Sequence, residues 1–201
     1  MKNTNIIKRS VAGVLITAVA VCAFGCSKTS VSSKDLGNAF SAAAEENGLE
    51  ELDWGNVSSD NTFHTGFSST TTHGRDAGYM FYSQVGMILD IPRGDMPEIR
   101  EMSVYYLYDS AERIHGYYIV FENEEDCEEY RDLFFDWFGD EIGEEMGFES
   151  FTLRTEERMN GLYRDGDTLI WITGYLYDTP AALPLIYEKL GLSYPEISTD
   201  V

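Results

Sequence analysis

Apolar positions along residues 34–192 change their spacing several times, and each change predicts a new element. Residues 34–47 (KDLGNAFSAAAEEN) place Leu36, Phe40, Ala43 and Ala44 on one helical face, and Asn47-Gly48 supplies a stop. Residues 58–72 are rich in Ser and Thr and fit either an exposed strand or a loop. Residues 78–90 (GYMFYSQVGMILD) read as a strand interrupted near Gly86, followed by a turn segment with two prolines at 91–97. Two β-rich runs, 102–108 (MSVYYLY) and 114–122 (IHGYYIVFE), flank a short polar connection and predict a hairpin. Residues 117–121 are apolar on both faces, as a strand covered on both sides requires.

A helix follows at 124–138 (EEDCEEYRDLFFDWF), with Cys127, Tyr130, Phe134, Trp137 and Phe138 at helical spacing. Asn123 can cap it, three acids sit at the positive end of its dipole, and Gly139 ends it. Residues 160–164 and 167–176 then predict a second hairpin around Asp165-Gly166, because Asp-Gly tolerates a type I′ turn. A last helix is expected at 179–190, with Lys189 in its final turn, Gly191 as C-cap and Leu192 in the contact that follows such a cap. Pro184 leaves its start open. The hairpin-helix unit therefore occurs twice. The expected fold class is α+β: a two-layer sandwich with a mostly antiparallel sheet and about three helices.

The N-terminus has a different pattern. Lys2, Lys8 and Arg9 precede fifteen residues, Val11 to Gly25, that carry no charge. That run is short of the roughly 20 residues needed to cross a bilayer as a helix, and it has the layout of a secretory signal. Its end, Ala23-Phe24-Gly25-Cys26, resembles the lipobox of bacterial lipoproteins, in which a small residue precedes an obligatory cysteine. Ala23 and Phe24 depart from that family's preference for Leu and then a small residue. The resemblance implies cleavage before Cys26, a diacylglycerol on its thiol, an N-acyl chain in some members, and no other cofactor. Ala23 and Gly25 also satisfy the rule for ordinary signal cleavage, which would release a secreted protein, and an uncleaved anchor is a third reading. The expected organisation is a signal peptide at 1–25, a lipidated cysteine and flexible tether at 26–33, and a single domain at 34–201. The layout over 34–192 resembles small uncharacterised lipoproteins of Gram-positive bacteria, a class that implies no particular activity.

Charge and cysteine content narrow the partners. The leader holds three of 14 basic residues and none of 35 acidic ones, leaving 11 against 35 and a net charge of −24. Such a surface repels nucleic acid and anionic head groups. Of the three cysteines, only Cys127 would remain unmodified in the mature domain, so an internal disulfide is not expected.

Several constellations could carry chemistry. Gly66-Phe67-Ser68 starts like a nucleophile elbow, but the closing glycine is missing and Thr-rich sequence follows. His64, His73 and His115, with Asp76, could ligate a metal, although no spacing sets two of them on one face. Asp165-Gly166-Asp167 resembles a fragment of a calcium loop and also fits a hairpin turn. Residues 122–149 contain thirteen acids and one base, the pattern of a solvated helix face that could screen itself with divalent cations. Arg93-Gly94-Asp95 spells an adhesion-type tripeptide inside a proline-flanked turn. No catalytic residue and no metal site is assigned from these.

The aromatic clusters are the most informative feature. Tyr79, Phe81, Tyr82, Tyr105, Tyr106, Tyr108, Tyr117, Tyr118, Tyr175 and Tyr177 all fall in expected strands, and alternation turns some of them away from any single core. Tyr106, Tyr108, Tyr118, Tyr175 and Tyr177 are the candidate ligand contacts, able to stack on a sugar, a peptide or a cation. The alternative is that both sheet faces are covered and only hydroxyls reach the rim. The expectation is a lipid-anchored binding or accessory module on the outer face of the cell membrane. Its partner would be an envelope protein, a peptide or a glycan. A small envelope hydrolase and a transporter's solute-binding component are the alternatives.

Overall fold

The computed structural model describes residues 30–52, 65–138 and 143–197. The leader, Cys26 and His64 lie outside these residues. From Val31 onward the chain forms one compact unit. Among the described residues its sheet has seven strands in the order β1-β2-β3-β7-β6-β5-β4, and every neighbouring pair is antiparallel. The strands are β1 (Gly66–His73), β2 (Ile99–Tyr108), β3 (Glu112–Phe121), β4 (Gly143–Glu145), β5 (Phe148–Arg154), β6 (Arg158–Asp165) and β7 (Thr168–Leu176). Four α-helices accompany them among the described residues: α1 (Ser33–Glu46), α2 (Gly74–Phe81), α3 (Glu124–Phe138) and α4 (Ala182–Leu190). The α+β class and the repeated hairpin-helix unit, β2-β3-α3 and β6-β7-α4, are present. No helix among the described residues is long and apolar enough to cross a membrane.

The two units join at the centre of the sheet, where β3 pairs antiparallel with β7. Their helices cover opposite faces, so the sheet carries one helical layer more than the hairpin-helix pattern predicts. Strand alternation explains both cores. Tyr105, Leu107, Ile114, Tyr163, Ile170 and Ile172 point to the side where α1 and α4 pack with Leu36, Phe40, Ile186 and Tyr187. Met102, Val104, Tyr117, Ile119, Leu169 and Trp171 point to the other side, under Phe81 of α2 and Tyr130 and Phe134 of α3. Aromatic pairs bind that second core: Trp171 stacks on Tyr117 (4.8 Å) and meets Phe134 edge-on (5.0 Å). Such pairs add about 1 kcal/mol each beyond burial.

α1 starts earlier in the tether than expected. Ser32 and Asp35 form a reciprocal capping box, Val31 is buried in the core, and Ser33 hydrogen-bonds Ser103 (2.7 Å). Residues 31–33 therefore belong to the folded unit.

The segment expected as a strand at 78–90 is helical: α2 runs into a π-helical turn, Tyr82–Gly86. Ala77, Phe81 and Val85 are spaced by four, and all three are buried. That helical period outweighs the β preference of Tyr79, Phe81 and Tyr82, which lie in no strand. Of the Ser/Thr-rich segment, residues 66–72 belong to the edge strand β1, and residues 58–64 lie outside the described residues. β4 and β5 have no counterpart in the expected elements. Their two-residue turn, Met146-Gly147, has positive φ at both positions (53° and 84°), and Met-Gly is not a turn signature. At the β6-β7 hairpin the two turn residues are Gly166 and Asp167. Gly166 has φ 58° and Asp167 does not have positive φ, so a type I′ turn is not formed.

The acidic α3 is organised by two buried arginines. Arg164 donates to Glu149 (2.8 Å) and Glu124 (3.0 Å), while Arg131 reaches the same Glu149 and also Glu128 and Asp132. Burial alone would raise the Glu149 carboxyl, but Arg164 and Arg131 outweigh it and hold the group below its ordinary range. Cys127 is buried beside this network, and burial pushes its thiol up to about 12. It is unreactive in the folded protein.

Candidate functional site

Cross-strand register assembles the site, because directly paired residues share a face of the sheet. On the α2/α3 side, beyond the aromatic core, lie two successive rows. The inner row is Ser68, Tyr106, His115, Thr173 and Asn160, one residue from each of β1, β2, β3, β7 and β6. The outer row is Tyr108, Arg113, Tyr175 and Arg158. Aromatic rings and guanidinium groups therefore alternate across four strands at one end of the sheet.

Their geometry follows that order. The Arg113 guanidinium lies 5.9 Å from the Tyr108 ring centre and 5.7 Å from that of Tyr177, just past the end of β7. The Arg158 guanidinium lies 5.0 Å from the Tyr175 ring. All three distances are within cation–π range. Tyr175 and Tyr177 are 47% and 56% exposed, whereas Tyr106, Tyr108 and His115 are half-buried and Tyr117, Trp171 and Asn160 are buried. The site grades from a dry floor to a wet rim.

The inner row is tied by side-chain hydrogen bonds. His115 Nε2 is 2.8 Å from the Tyr108 hydroxyl, and its Nδ1 is 3.0 Å from the Tyr117 hydroxyl. A neutral imidazole donates through one nitrogen and accepts through the other, so the two tyrosines take opposite roles. The Tyr106 hydroxyl donates to Gln84 Oε1 (2.9 Å), fixing the π-helical turn to the sheet. Trp171 Nε1 donates to Asn160 Oδ1 (3.4 Å). Burial, then Arg113, lowers the His115 pKa from 6.5 to about 4. Burial, then Tyr106, raises that of Tyr108 to about 12, and burial raises that of Tyr117 further.

A pH dependence follows. The folded protein holds His115 uncharged, with a pKa below the unfolded value. Its stabilising contribution is complete above about pH 6.5 and is lost as pH falls through about 4. The total loss should be about 3 kcal/mol. Urea unfolding at a series of pH values should give a profile shallower by that amount in His115→Asn. Parallel profiles for the two proteins would contradict this role.

The structure divides the five candidate tyrosines. Tyr106, Tyr108 and Tyr175 share the site, and Tyr177 joins it through Arg113. Tyr118 faces the other way, packs against the α1/α4 core and hydrogen-bonds Thr168. It is no part of this site, because an even-numbered residue of β3 points away from His115 and Tyr117. Arg113, Arg158 and Gln84 were not foreseen. The positions of Arg113 and Arg158 depend on strand register, which local sequence does not show, and that of Gln84 on the helical segment 74–86, whose local signal is the four-residue spacing of Ala77, Phe81 and Val85.

Other constellations come apart. Ser68 is buried in mid-strand, where a nucleophile elbow cannot form, since the motif needs an exposed turn between a strand and a helix. His73 is exposed at the start of α2, 3.6 Å from Glu101, at the opposite end of the sheet from His115. Among the described residues no group of three or more His, Cys, Asp or Glu side chains could hold a metal ion. Asp167 serves the hairpin turn and pairs with Arg100 at 2.7 Å. Residues 93–95 form a 3-10 turn whose Asp95 carbonyl accepts from the Tyr130 hydroxyl (2.6 Å). No known protein family, no curated protein and no solved structure matches this chain.

Proposed function

We propose that this protein is a lipid-anchored binding or accessory module on the outer face of the bacterial cell membrane. Cys26 carries the lipid, and the Tyr108-Arg113-Tyr175-Arg158 row makes the contact. The observation that carries the reading is this row. It presents exposed aromatic faces, backed by guanidinium groups, at one end of a sheet that carries a helix-packed core on each face. Tyrosine offers a large face at low entropic cost and a hydroxyl that stays satisfied at the wet edge. A polypeptide or glycan of the envelope suits such a face. The anchor raises the effective concentration of a weak contact by confining both partners to one surface. Nucleic acid is disfavoured by the strongly acidic surface.

Support for the address is the leader: a charged start, a short apolar run and Gly25-Cys26 at its end. Cys26→Ser should move the protein from the membrane fraction to the soluble fraction or the medium. The intact mass of the wild-type protein should match a chain starting at residue 26 with added acyl chains. Recovery of the full-length chain from the cytosol, with Met1 present and Cys26 unmodified, would overturn the reading.

A further inference from the structure

At the far end of β2 and β3 from the tyrosine row lies a cavity of about 520 Å³. Arg75, Tyr79 and Tyr82 line one side, Met96, Pro97 and Ile99 another, and Glu98 and Glu122 complete it. Gly74 and Gly78 leave it open on the α2 side: a Cβ added at either would meet nothing within 4 Å. The volume is in the range of small-ligand sites.

Two features decide what fits. The first is charge. The Glu122 N–H donates to the Glu98 carbonyl (2.9 Å), which sets the two acidic residues side by side at the cavity. Among the described residues neither carboxylate makes an ion pair. The nearby Arg100 pairs with Asp167 at 2.7 Å and is attracted more weakly by Glu122. Arg75 is folded onto Tyr79: its Nη2 donates to the Tyr79 hydroxyl (2.7 Å), and its guanidinium lies 5.3 Å from the ring centre. Asp76, in the first turn of α2, offsets the positive end of that helix. The local balance is therefore negative, in a protein of net charge −21. The second feature is the apolar wall. Tyr79 is 59% exposed, and Met96 and Pro97 supply a surface for an aliphatic stem.

We propose that this cavity receives a lysine side chain of a partner polypeptide, with the ammonium between Glu98 and Glu122 and the stem along Tyr79, Met96 and Pro97. The site is separate from the tyrosine row and stands or falls independently of it.

The test uses short peptides and backbone amide NMR of the folded domain. Acetyl-Gly-Lys-Gly-amide should shift the amides of Gly74, Gly78, Tyr79, Glu98 and Glu122 saturably. The norleucine peptide, which keeps the stem without the charge, should bind at least fivefold more weakly. The double variant Glu98→Gln, Glu122→Gln should weaken the lysine peptide about fivefold, and Tyr79→Ala about threefold. All three residues are exposed, so the fold is retained. Equal binding of the norleucine peptide, unchanged affinity in the double variant, or the same shifts from sodium chloride at matched ionic strength would each overturn the proposal.

Discussion

Glu112→Ala should lower the free energy of unfolding by about 3 kcal/mol, a large fraction of the 5–15 kcal/mol typical of a domain. Glu112 opens β3 and is fully buried. Its carboxylate accepts from the backbone N–H groups of Ala181 (2.8 Å), Ala182 (2.6 Å) and Leu183 (3.1 Å), at the start of α4. These are groups that a helix cannot satisfy internally, and Ala181 has no side chain to cap them. Burial raises the carboxyl, and the three N–H bonds oppose that shift. Truncation would leave the buried N–H groups of Ala182 and Leu183 without a partner at once, each worth about 1–3 kcal/mol, besides that of the more exposed Ala181. Glu112→Gln should recover only part of the loss, because its amide nitrogen would face the same donors. Urea denaturation of the three proteins measures this directly. A loss below about 1 kcal/mol in Glu112→Ala would show that α4 is capped in another way.

Gly161→Ala should cost about 3 kcal/mol for the opposite reason, overpacking. A methyl group there would overlap the Tyr187 hydroxyl and lie 3.1 Å from Tyr163. Tyr187 is fully buried under α4, its hydroxyl meeting Met159 Sδ at 3.2 Å, so its ring cannot swing away. Gly116 does the same for Phe40 under α1, with 2.6 Å between the added atom and the ring. The severe overlap at residue 161 is with the Tyr187 oxygen, and the 3.1 Å approach to Tyr163 is the lesser contact. Tyr187→Phe removes that overlap and leaves the approach to Tyr163, so the double variant should be more stable than Gly161→Ala alone but should not recover the full loss. Thermal unfolding of the single and double variants makes the comparison. Simple additivity would mean that the cost comes from the strand backbone and not from the hydroxyl.

These two residues show where local sequence stops being informative. α3 was legible because everything that makes it lies within sixteen residues: the cap at Asn123, which accepts from the Asp126 N–H (2.8 Å), the acidic first turn, and the buried Cys127, Tyr130 and Phe134. The end of α4 was legible for the same reason, with Gly191 left-handed as its C-cap. Its beginning was not, because its cap comes from Glu112, some 70 residues upstream. Residues 78–90 mislead through composition: tyrosine and phenylalanine favour a strand, while the four-residue period of Ala77, Phe81 and Val85 begins before residue 78. In the site, alternation implies only that some tyrosines face away from any single core, and register is what puts Tyr106, Tyr108 and Tyr175 on the side away from the α1/α4 core. Alternation alone could not pair them with Arg113 and Arg158 or reject Tyr118, since that takes the register of four strands.

The central claim is that the tyrosine-arginine row contacts an envelope partner while the anchor holds the protein at the membrane. A photo-crosslinking residue introduced at position 175 in living cells tests it most directly, compared with the same residue at position 129, exposed on the acidic helix α3. The account predicts a discrete adduct with one envelope component from position 175, lost on Arg158→Ala, and none from position 129. The same adduct pattern from both positions, or adducts with cytosolic proteins alone, would contradict it.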